Sequence, residues 1–280
     1  MTAAFTAVVL LDGWLGDFRF SISDCRFTLP RGTILAALIV TLVVLGQIEF
    51  AGLLAAKNLK AFTPVSIIAS AALATLPIFN PSTLLRTSLR FSIVDFVLAF
   101  GLLGLLLCQY LCCGTSGVLA NCGANCFSII YLGLLSSFAL AIRVDFGVWP
   151  LLMFVFVVKS ADIGAYAVGT LFGRHKFSPR VSPGKTWEGA GGALVAAVAS
   201  ALAFAAGLDI MSWQWAIAFG FFSACVGQAG DLAESMLKRD AQRKDAANKV
   251  PGFGGILDIV DSPLVAAPFA YLFFTYVVRR

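Results

Sequence analysis

The chain has 280 residues, of which 59% are hydrophobic and only 12% are charged. A soluble domain carries about 25% charged residues, and half of that fraction cannot cover a water-facing surface of this size. The composition therefore indicates an integral membrane protein and excludes a disordered chain, a collagen-like fibre and a small disulfide scaffold. The formal net charge of +5 is too small to favour a nucleic acid partner, and it suits a protein that binds phosphates or anionic lipid heads.

The amino-terminal segment 1–32 begins with an apolar run that is too short to span a bilayer. Residues 3–11 are apolar, and Asp12 and Asp17 follow soon after. A transmembrane helix needs about 20 residues, so we interpret this segment as a partial helix or an interfacial element. A basic residue before the run and a small-residue cleavage site after it are both missing, so a cleaved signal peptide is not expected.

Eight apolar runs approach the length of a membrane-spanning helix. They are continuous and rich in Leu, Ala and Val, unlike the short alternating strands of an outer-membrane barrel. The predicted fold class is therefore all-α, a polytopic transmembrane bundle with about eight spans. Its amino-terminal helices occupy 33–147 and its carboxy-terminal helices occupy 148–280. The runs are 33–56, 64–79, 93–113, 126–142, 148–172, 189–208, 213–230 and 263–278.

The segments 173–188 and 231–262 are expected on the same face of the membrane, because two spans separate them. Lys and Arg are somewhat more numerous in the loops of that face than in those of the other. By the positive-inside rule this places both segments in the cytosol. The two segments can therefore build one site.

Acidic side chains concentrate at the ends of the last helices, where a carboxylate at membrane depth costs about 2.5–3.5 kcal/mol on insertion scales. At 100° per residue, Asp231, Glu234, Ser235 and Lys238 fall on one helical face. A solvated helix end with internal ion pairs is the simpler explanation of this face taken alone.

A glycine-rich turn, Pro251-Gly252-Phe253-Gly254-Gly255, precedes the last span. Its glycines allow backbone N–H groups to approach a ligand closely. Asp258 and Asp261 follow, three residues apart and on one face. Helix capping by Asp261 accounts for one of these acids, but it does not explain both of them together with Asp231.

Three carboxylates at a water–lipid boundary would repel one another unless a hard divalent cation lay between them. Mg²⁺ is bound in this way, by one or two carboxylates together with substrate phosphates and water. The chain has a single His, and neither His nor Cys occurs within the acidic segments 230–239 and 251–263, so Zn²⁺ is a poor fit. The predicted metal ligands are Asp231, Asp258 and Asp261.

The segment before the sixth run contains Gly-Lys-Thr, which looks like part of a phosphate-binding loop. The residue five positions before this glycine is proline, so a Walker site is excluded. We interpret the segment as an ordered basic turn in which Ser182, Lys185 and Thr186 bind phosphate. Trp187 is either part of this turn or a simple interfacial anchor, and Glu188 is a first-turn acid or cap partner.

Other polar residues lie inside the apolar runs and are expected to face the bundle interior. Lys159 and Asp162, three residues apart, are interpreted as an ion pair, with a direct substrate role as the alternative. Glu49 has no role that its spacing suggests. Five cysteines between positions 108 and 126 match no standard zinc or iron–sulfur spacing and are interpreted as packing residues.

The carboxy-terminal motifs resemble those of the phosphatidate cytidylyltransferases, also called CDP-diacylglycerol synthases. That signature runs Ser-x-x-Lys-Arg, four residues, Lys-Asp, then Pro-Gly-His-Gly-Gly and Asp-Arg-x-Asp. The residues that match it are Ser235, Lys238-Arg239, Lys244-Asp245, Pro251-Gly252, Gly254-Gly255, Asp258 and Asp261. The resemblance extends upstream through the 182–189 turn to Asp162 and Tyr166.

Three positions depart from the pattern of that family. Phe253 stands where His is usual, and Phe cannot transfer a proton. Ile259 stands where Arg is usual, which removes one phosphate clamp, and Gly184 replaces a common second Lys. All of the carboxylates proposed to bind metal are nevertheless present.

The resemblance implies a nucleotidyltransferase of phospholipid biosynthesis that joins CTP and phosphatidic acid into CDP-diacylglycerol and pyrophosphate, with Mg²⁺ as cofactor. It implies a catalytic region within 148–280 on the cytosolic face of the inner (plasma) membrane, and no nucleic acid partner. The sequence leaves open whether the chain forms a homodimer. The implied catalytic residues are Asp231, Lys238, Arg239, Lys244, Asp258 and Asp261. The implied substrate-binding residues are Ser182, Lys185, Thr186, Trp187, Glu188, Ser235, Gly254 and Gly255.

Two alternatives stay open at this point. A CTP-dependent lipid kinase of the polyprenol or phytol type would also combine helices, acidic residues and CTP, and its products would be a phospholipid and CDP. A secondary transporter would use the intramembrane polar residues as an ion path. Transporters commonly contain inverted repeats, whereas here the polar residues concentrate in one half of the chain.

Overall fold

The computed structural model describes residues 2–16, 19–22, 25–28, 30–79, 92–242 and 255–278. Within them the chain is helical apart from two short antiparallel hairpins, which confirms the predicted all-α transmembrane bundle. The helices are α1 (Thr2–Gly16), α2 (Thr33–Ala56), α3 (Thr63–Phe79), α4 (Ile93–Cys113), α5 (Val118–Ser128), α6 (Leu135–Phe146), α7 (Val148–Phe172), α8 (Trp187–Leu208), α9 (Trp213–Asp240) and α10 (Leu257–Val277). The hairpin strands are β1 (Arg19–Ile22), β2 (Cys25–Thr28), β3 (Lys176–Ser178) and β4 (Ser182–Thr186).

Seven helical segments of the described residues are long and apolar enough to cross a bilayer. They cover all the predicted runs except 64–79, which forms the 17-residue α3. The predicted run 126–142 belongs to a longer span, Val118–Phe146, in which a π-helical segment, Ile129–Leu134, joins α5 to α6. The chain is an integral membrane protein: its long helices satisfy their own backbone groups, as lipid requires, and their side chains are apolar enough to contact hydrocarbon.

The helices form two compact units. The first unit comprises Met1–Asp145 and Ala241–Ile256, and the second comprises Phe146–Asp240 and Leu257–Arg280. The helices that carry the predicted catalytic acids belong to the second.

The core of the first unit is apolar and includes sulfur. Cys122 lies in a cluster with Leu73, Leu105 and Ile129. Of the other cysteines of this region, three pack against the cluster and Cys112 is exposed. The interpretation of these five cysteines as packing residues therefore holds for four of them.

Two buried carboxylates of the first unit have defined partners. Asp12 forms an ion pair with Arg143, with 2.8 Å between Oδ2 and Nε, and its other oxygen accepts a hydrogen bond from the Ile34 N–H. Glu49 accepts a hydrogen bond of 2.9 Å from the backbone N–H of Ile256. Neither carboxylate is left uncompensated at membrane depth, where that would be costly.

Small residues let the helices of the second unit pack closely. A Cβ atom on Gly164 of α7 would lie 2.5 Å from the carbonyl oxygen of Gly192 on α8. A Cβ on Gly220 of α9 would lie 2.7 Å from the Val198 Cα of α8. Such contacts between backbones are the usual way in which helices associate in membranes, where lipid and side chains are equally apolar. The hairpin of β3 and β4, which connects α7 to α8, is thereby held beside the ends of both helices.

Candidate active site

Polar side chains from α7, β4 and α9 converge on one pocket in the second unit, and small residues of α8 complete its lining. Its volume is about 380 Å³. The pocket includes the basic turn and one end of the acidic face that the sequence singled out. The lining residues are Asp162, Ala165, Tyr166, Gly169, Thr170, Ser182, Gly184, Lys185, Thr186, Gly189, Ala190, Gln228 and Asp231.

Three carboxylates meet at the junction of α9 and α10. One oxygen from each of Asp231, Glu234 and Asp261 lies within 4.8 Å of the others. Asp231 and Glu234 come from successive positions on one face of α9, and Asp261 comes from α10. Glu234 and Asp261 are buried, whereas Asp231 opens into the pocket.

A glycine explains why α9 and α10 approach so closely at the carboxylates. A Cβ on Gly230 would lie 3.1 Å from the Asp261 carbonyl oxygen and 3.0 Å from the Val265 Cβ. A side chain at position 230 would therefore crowd the backbone and side chains of α10. The glycine next to Asp231 leaves room for the close approach of Asp261.

Two lysines form ion pairs with the carboxylate cluster. Lys185 Nζ lies 2.7 Å from Asp231 Oδ2 and also donates a hydrogen bond to the Gln228 carbonyl. Lys238 Nζ lies 2.8 Å from Glu234 Oε1 and forms a second ion pair with Asp258. Asp258 therefore lies beside the cluster, joined to it through Lys238.

The hairpin of β3 and β4 is fixed at its base by the first residues of α8. Thr186 accepts a hydrogen bond of 3.1 Å from the Gly189 N–H and so caps α8. Glu188 accepts hydrogen bonds from the backbone N–H groups of Arg174 and His175, and its Oε1 lies 2.6 Å from His175 Nδ1. Glu188 thus binds the hairpin and does not line the pocket. These contacts join the start of α8 to the residues before β3, and the substrate-binding role of Glu188 stays a prediction.

The remaining predicted residues have varied surroundings. Trp187 is exposed and packs edge-on against Phe177, as an interfacial anchor would. Arg239 is exposed, and its Nε donates a hydrogen bond to the Val181 carbonyl. Ser235 is half-buried on α9 and Gly255 is buried in the first unit. Lys244 and Gly254 lie outside the described residues, as does Phe253.

The structure confirms the expected ion pair within α7. Lys159 Nζ lies 3.1 Å from Asp162 Oδ2. Asp162 Oδ1 accepts a hydrogen bond of 3.3 Å from the Ser262 hydroxyl of α10. Asp162 also lines the pocket beside Asp231.

Sequence reasoning missed two contributors to the site. Glu234 appeared on the acidic face but was not included among the metal ligands, although its spacing from Asp231 already put both side chains on one side of α9. Gln228, whose carbonyl accepts from Lys185, had no distinguishing signal. A backbone carbonyl cannot be singled out from residue type.

The family model of the cytidylyltransferases matches residues 24–277, which is most of the chain. The chain belongs to the cytidylyltransferase family.

Three of its curated relatives are each named phosphatidate cytidylyltransferase. The protein from Haemophilus influenzae is 39% identical over 137 residues, which cover 46% of each chain. The Brucella suis protein is 43% identical over 129 residues, or 46% of this chain and 47% of the relative. The Bacillus subtilis protein is 38% identical over 145 residues, or 51% and 54%.

These alignments are partial. The chain spans about half the length of the curated relatives it matches. The family match is longer and includes the segment from α7 to α10, which carries all of the described polar residues of the pocket.

Proposed function

We propose that this cytidylyltransferase joins CTP and phosphatidic acid into CDP-diacylglycerol and pyrophosphate. One observation carries the proposal. One oxygen from each of three carboxylates lies within 4.8 Å of the others, and two lysines form ion pairs with these carboxylates. The names of the relatives support the choice of phosphatidic acid as the acceptor.

The donor set of the cluster suits Mg²⁺. Asp231, Glu234 and Asp261 offer only carboxylate oxygens, which this hard cation prefers, and the nitrogen and sulfur donors that favour Zn²⁺ do not occur in the cluster. We propose that Asp231 and Asp261 hold Mg²⁺ with Glu234, and that Asp258 joins them directly or through Lys238. A bound Mg²⁺ would offset the charge of the triphosphate and polarise its α-phosphate.

The basic residues of the site suit the two phosphate groups that must meet there. Lys185 lies inside the pocket, and Thr186 and Ser182 line it from the same strand. We propose that these three residues bind the CTP phosphates, while Lys238, Arg239 and Lys244 stabilise charge on pyrophosphate or hold the lipid phosphate.

The reaction requires no nucleophile from the protein. A phosphate oxygen of the lipid forms a bond to the α-phosphorus of CTP, and the bond from that phosphorus to the oxygen of the leaving pyrophosphate breaks. Catalysis is then positioning together with neutralisation of charge.

The location of the pocket suits one soluble and one lipid substrate. Its lining side chains belong to membrane-spanning helices and to the hairpin that follows α7. We propose that it opens on the cytosolic face of the membrane, as the distribution of Lys and Arg favours. The proposal involves no nucleic acid.

The test is a product assay on the purified protein. Radiolabelled CTP and phosphatidic acid should yield a CMP-bearing lipid and pyrophosphate, and the yield should depend on Mg²⁺. A polyprenol or phytol acceptor that yields a phospholipid and CDP would instead identify the lipid kinase.

Asp231→Asn and Asp261→Asn should each abolish turnover, whereas Asp209→Asn, a change of the exposed carboxylate that ends α8, should not. Retained turnover in the first two variants would remove those residues from the metal site.

A further inference from the structure

The Lys159–Asp162 pair lies in the middle of α7, in a span of 25 residues that contains no other charged side chain. Neither residue had a defined role in the reaction proposed above. An ion pair in the middle of a membrane span is costly to keep, because each ion loses part of its hydration. Packing alone would be served as well by two apolar residues. The contacts of Asp162 indicate a more specific purpose.

Asp162 is linked to the carboxylate cluster by two successive hydrogen bonds. The Ser262 hydroxyl donates to Asp162 Oδ1, at 3.3 Å. The backbone N–H of Ser262 donates to Asp261 Oδ1, at 2.6 Å. Ser262 is fully buried, so water cannot replace either partner. Asp162 therefore restrains the residue that in turn orients the Asp261 carboxylate.

Asp162 also brings a further negative charge close to the cluster. It lines the pocket beside Asp231, and the two carboxylates interact electrostatically. Lys159 interacts with both of them. Lys159 thus offsets the charge that Asp162 adds, and the pair supplies a hydrogen-bond acceptor with no net charge.

We propose that Asp162 is a positioning residue for the cation site, that it acts through Ser262 on Asp261, and that Lys159 serves to make its charge tolerable. This inference rests on the proposed role of the cluster as a cation site. Partners that orient metal ligands in this way typically contribute about 10–100-fold to metal affinity.

Two double variants separate this role from that of a structural ion pair. K159M/D162N and K159M/D162L both remove both charges and differ only in whether residue 162 retains an oxygen that can accept from Ser262. Asn and Leu have similar size, and both variants carry fewer charges into the membrane than the natural protein, so insertion is not at risk. A pair that only holds helices together predicts identical behaviour of the two variants.

The affinity of the purified full chain for Mn²⁺ is measured by electron paramagnetic resonance in the absence of substrates. Turnover is measured in parallel. We expect K159M/D162N to bind Mn²⁺ nearly as well as the natural protein, and K159M/D162L to bind about 10–100-fold more weakly. Ser262→Ala should reproduce the loss, and its addition to K159M/D162L should cause little further loss, because both changes break the same linkage.

Equal Mn²⁺ affinity in the two double variants would overturn the inference, as would a natural protein that does not bind Mn²⁺. A natural protein that binds Mn²⁺ with the expected difference between the variants, yet makes no CDP-diacylglycerol, would support the inference and contradict the proposed function alone.

Discussion

Lys238 is the cation on which two acids of the site depend, so its removal should destabilise the protein in a way that divalent cations reverse. Its Nζ contacts Glu234 and Asp258, and the side chains of the three residues are 12%, 6% and 21% exposed respectively. Lys238→Met keeps the apolar stem of the side chain and removes the charge. Both carboxylates then lose this ion pair, close to the negative charges of Asp231 and Asp261.

The size of the effect follows from burial. Loss of one partner from a buried ion pair costs about 3–5 kcal/mol. Because Asp258 is partly exposed and water screens it, we expect a value near the lower end, about 3 kcal/mol. In a chain of this size about 1 kcal/mol shifts the Tm by about 2–4 °C, so the expected decrease is about 6–12 °C.

The assay is thermal unfolding in detergent, followed by tryptophan fluorescence, with and without Mg²⁺. Mg²⁺ should raise the Tm of Lys238→Met by more than it raises that of the natural protein, since the variant has an excess of negative charge where the cation binds. Lys60→Met, which changes an exposed lysine in the loop between α2 and α3, is the matched control. An unchanged Tm in Lys238→Met, or a decrease that Mg²⁺ does not reduce, would refute the reasoning.

Two further predictions concern the scaffold of the site. Gly164→Val should prevent α7 and α8 from packing, since its Cβ would lie 2.5 Å from the Gly192 carbonyl oxygen, whereas the side chain of the control, Gly191→Ala, meets open space. Size-exclusion chromatography should show aggregates only for Gly164→Val. A monodisperse Gly164→Val protein would contradict the packing argument. Glu188→Ala should release the N–H groups at the base of the β3–β4 hairpin, including that of His175. Tryptic cleavage within 174–180 should then become faster while the helices stay intact. An unchanged cleavage rate would show that the hairpin does not depend on this carboxylate.

The comparison of sequence and structure is clearest in the carboxylate cluster. Helical periodicity alone put Asp231 and Glu234 on one face of α9. It could not show that Glu234 would lie beside Asp261, whereas Asp258 would pair with Lys238. That distinction depends on how α9 and α10 are rotated about their axes, which depends on the close approach at Gly230.

The turn at 182–189 shows the same limit. Its residue types predicted a basic, phosphate-binding turn, and Lys185 and Thr186 do line the pocket. The resemblance also implied a substrate-binding role for Glu188, and in the structure this carboxylate binds the residues just before β3. A carboxylate that binds backbone N–H groups from 13 or 14 residues earlier in the chain leaves no local pattern.

The amino-acid sequence by itself determined that this protein spans a membrane and where most of its helices lie. It also showed which acidic residues a simple transmembrane helix would not contain. Both follow because hydrocarbon excludes unpaired backbone groups and charges wherever they occur along the chain. Only the tertiary structure decided which acids meet, which lysine faces each of them and that Asp162 reaches Asp261 through Ser262. These contacts join helices distant in sequence, and they follow from the shapes of small residues at the helix crossings, which periodicity and composition do not record.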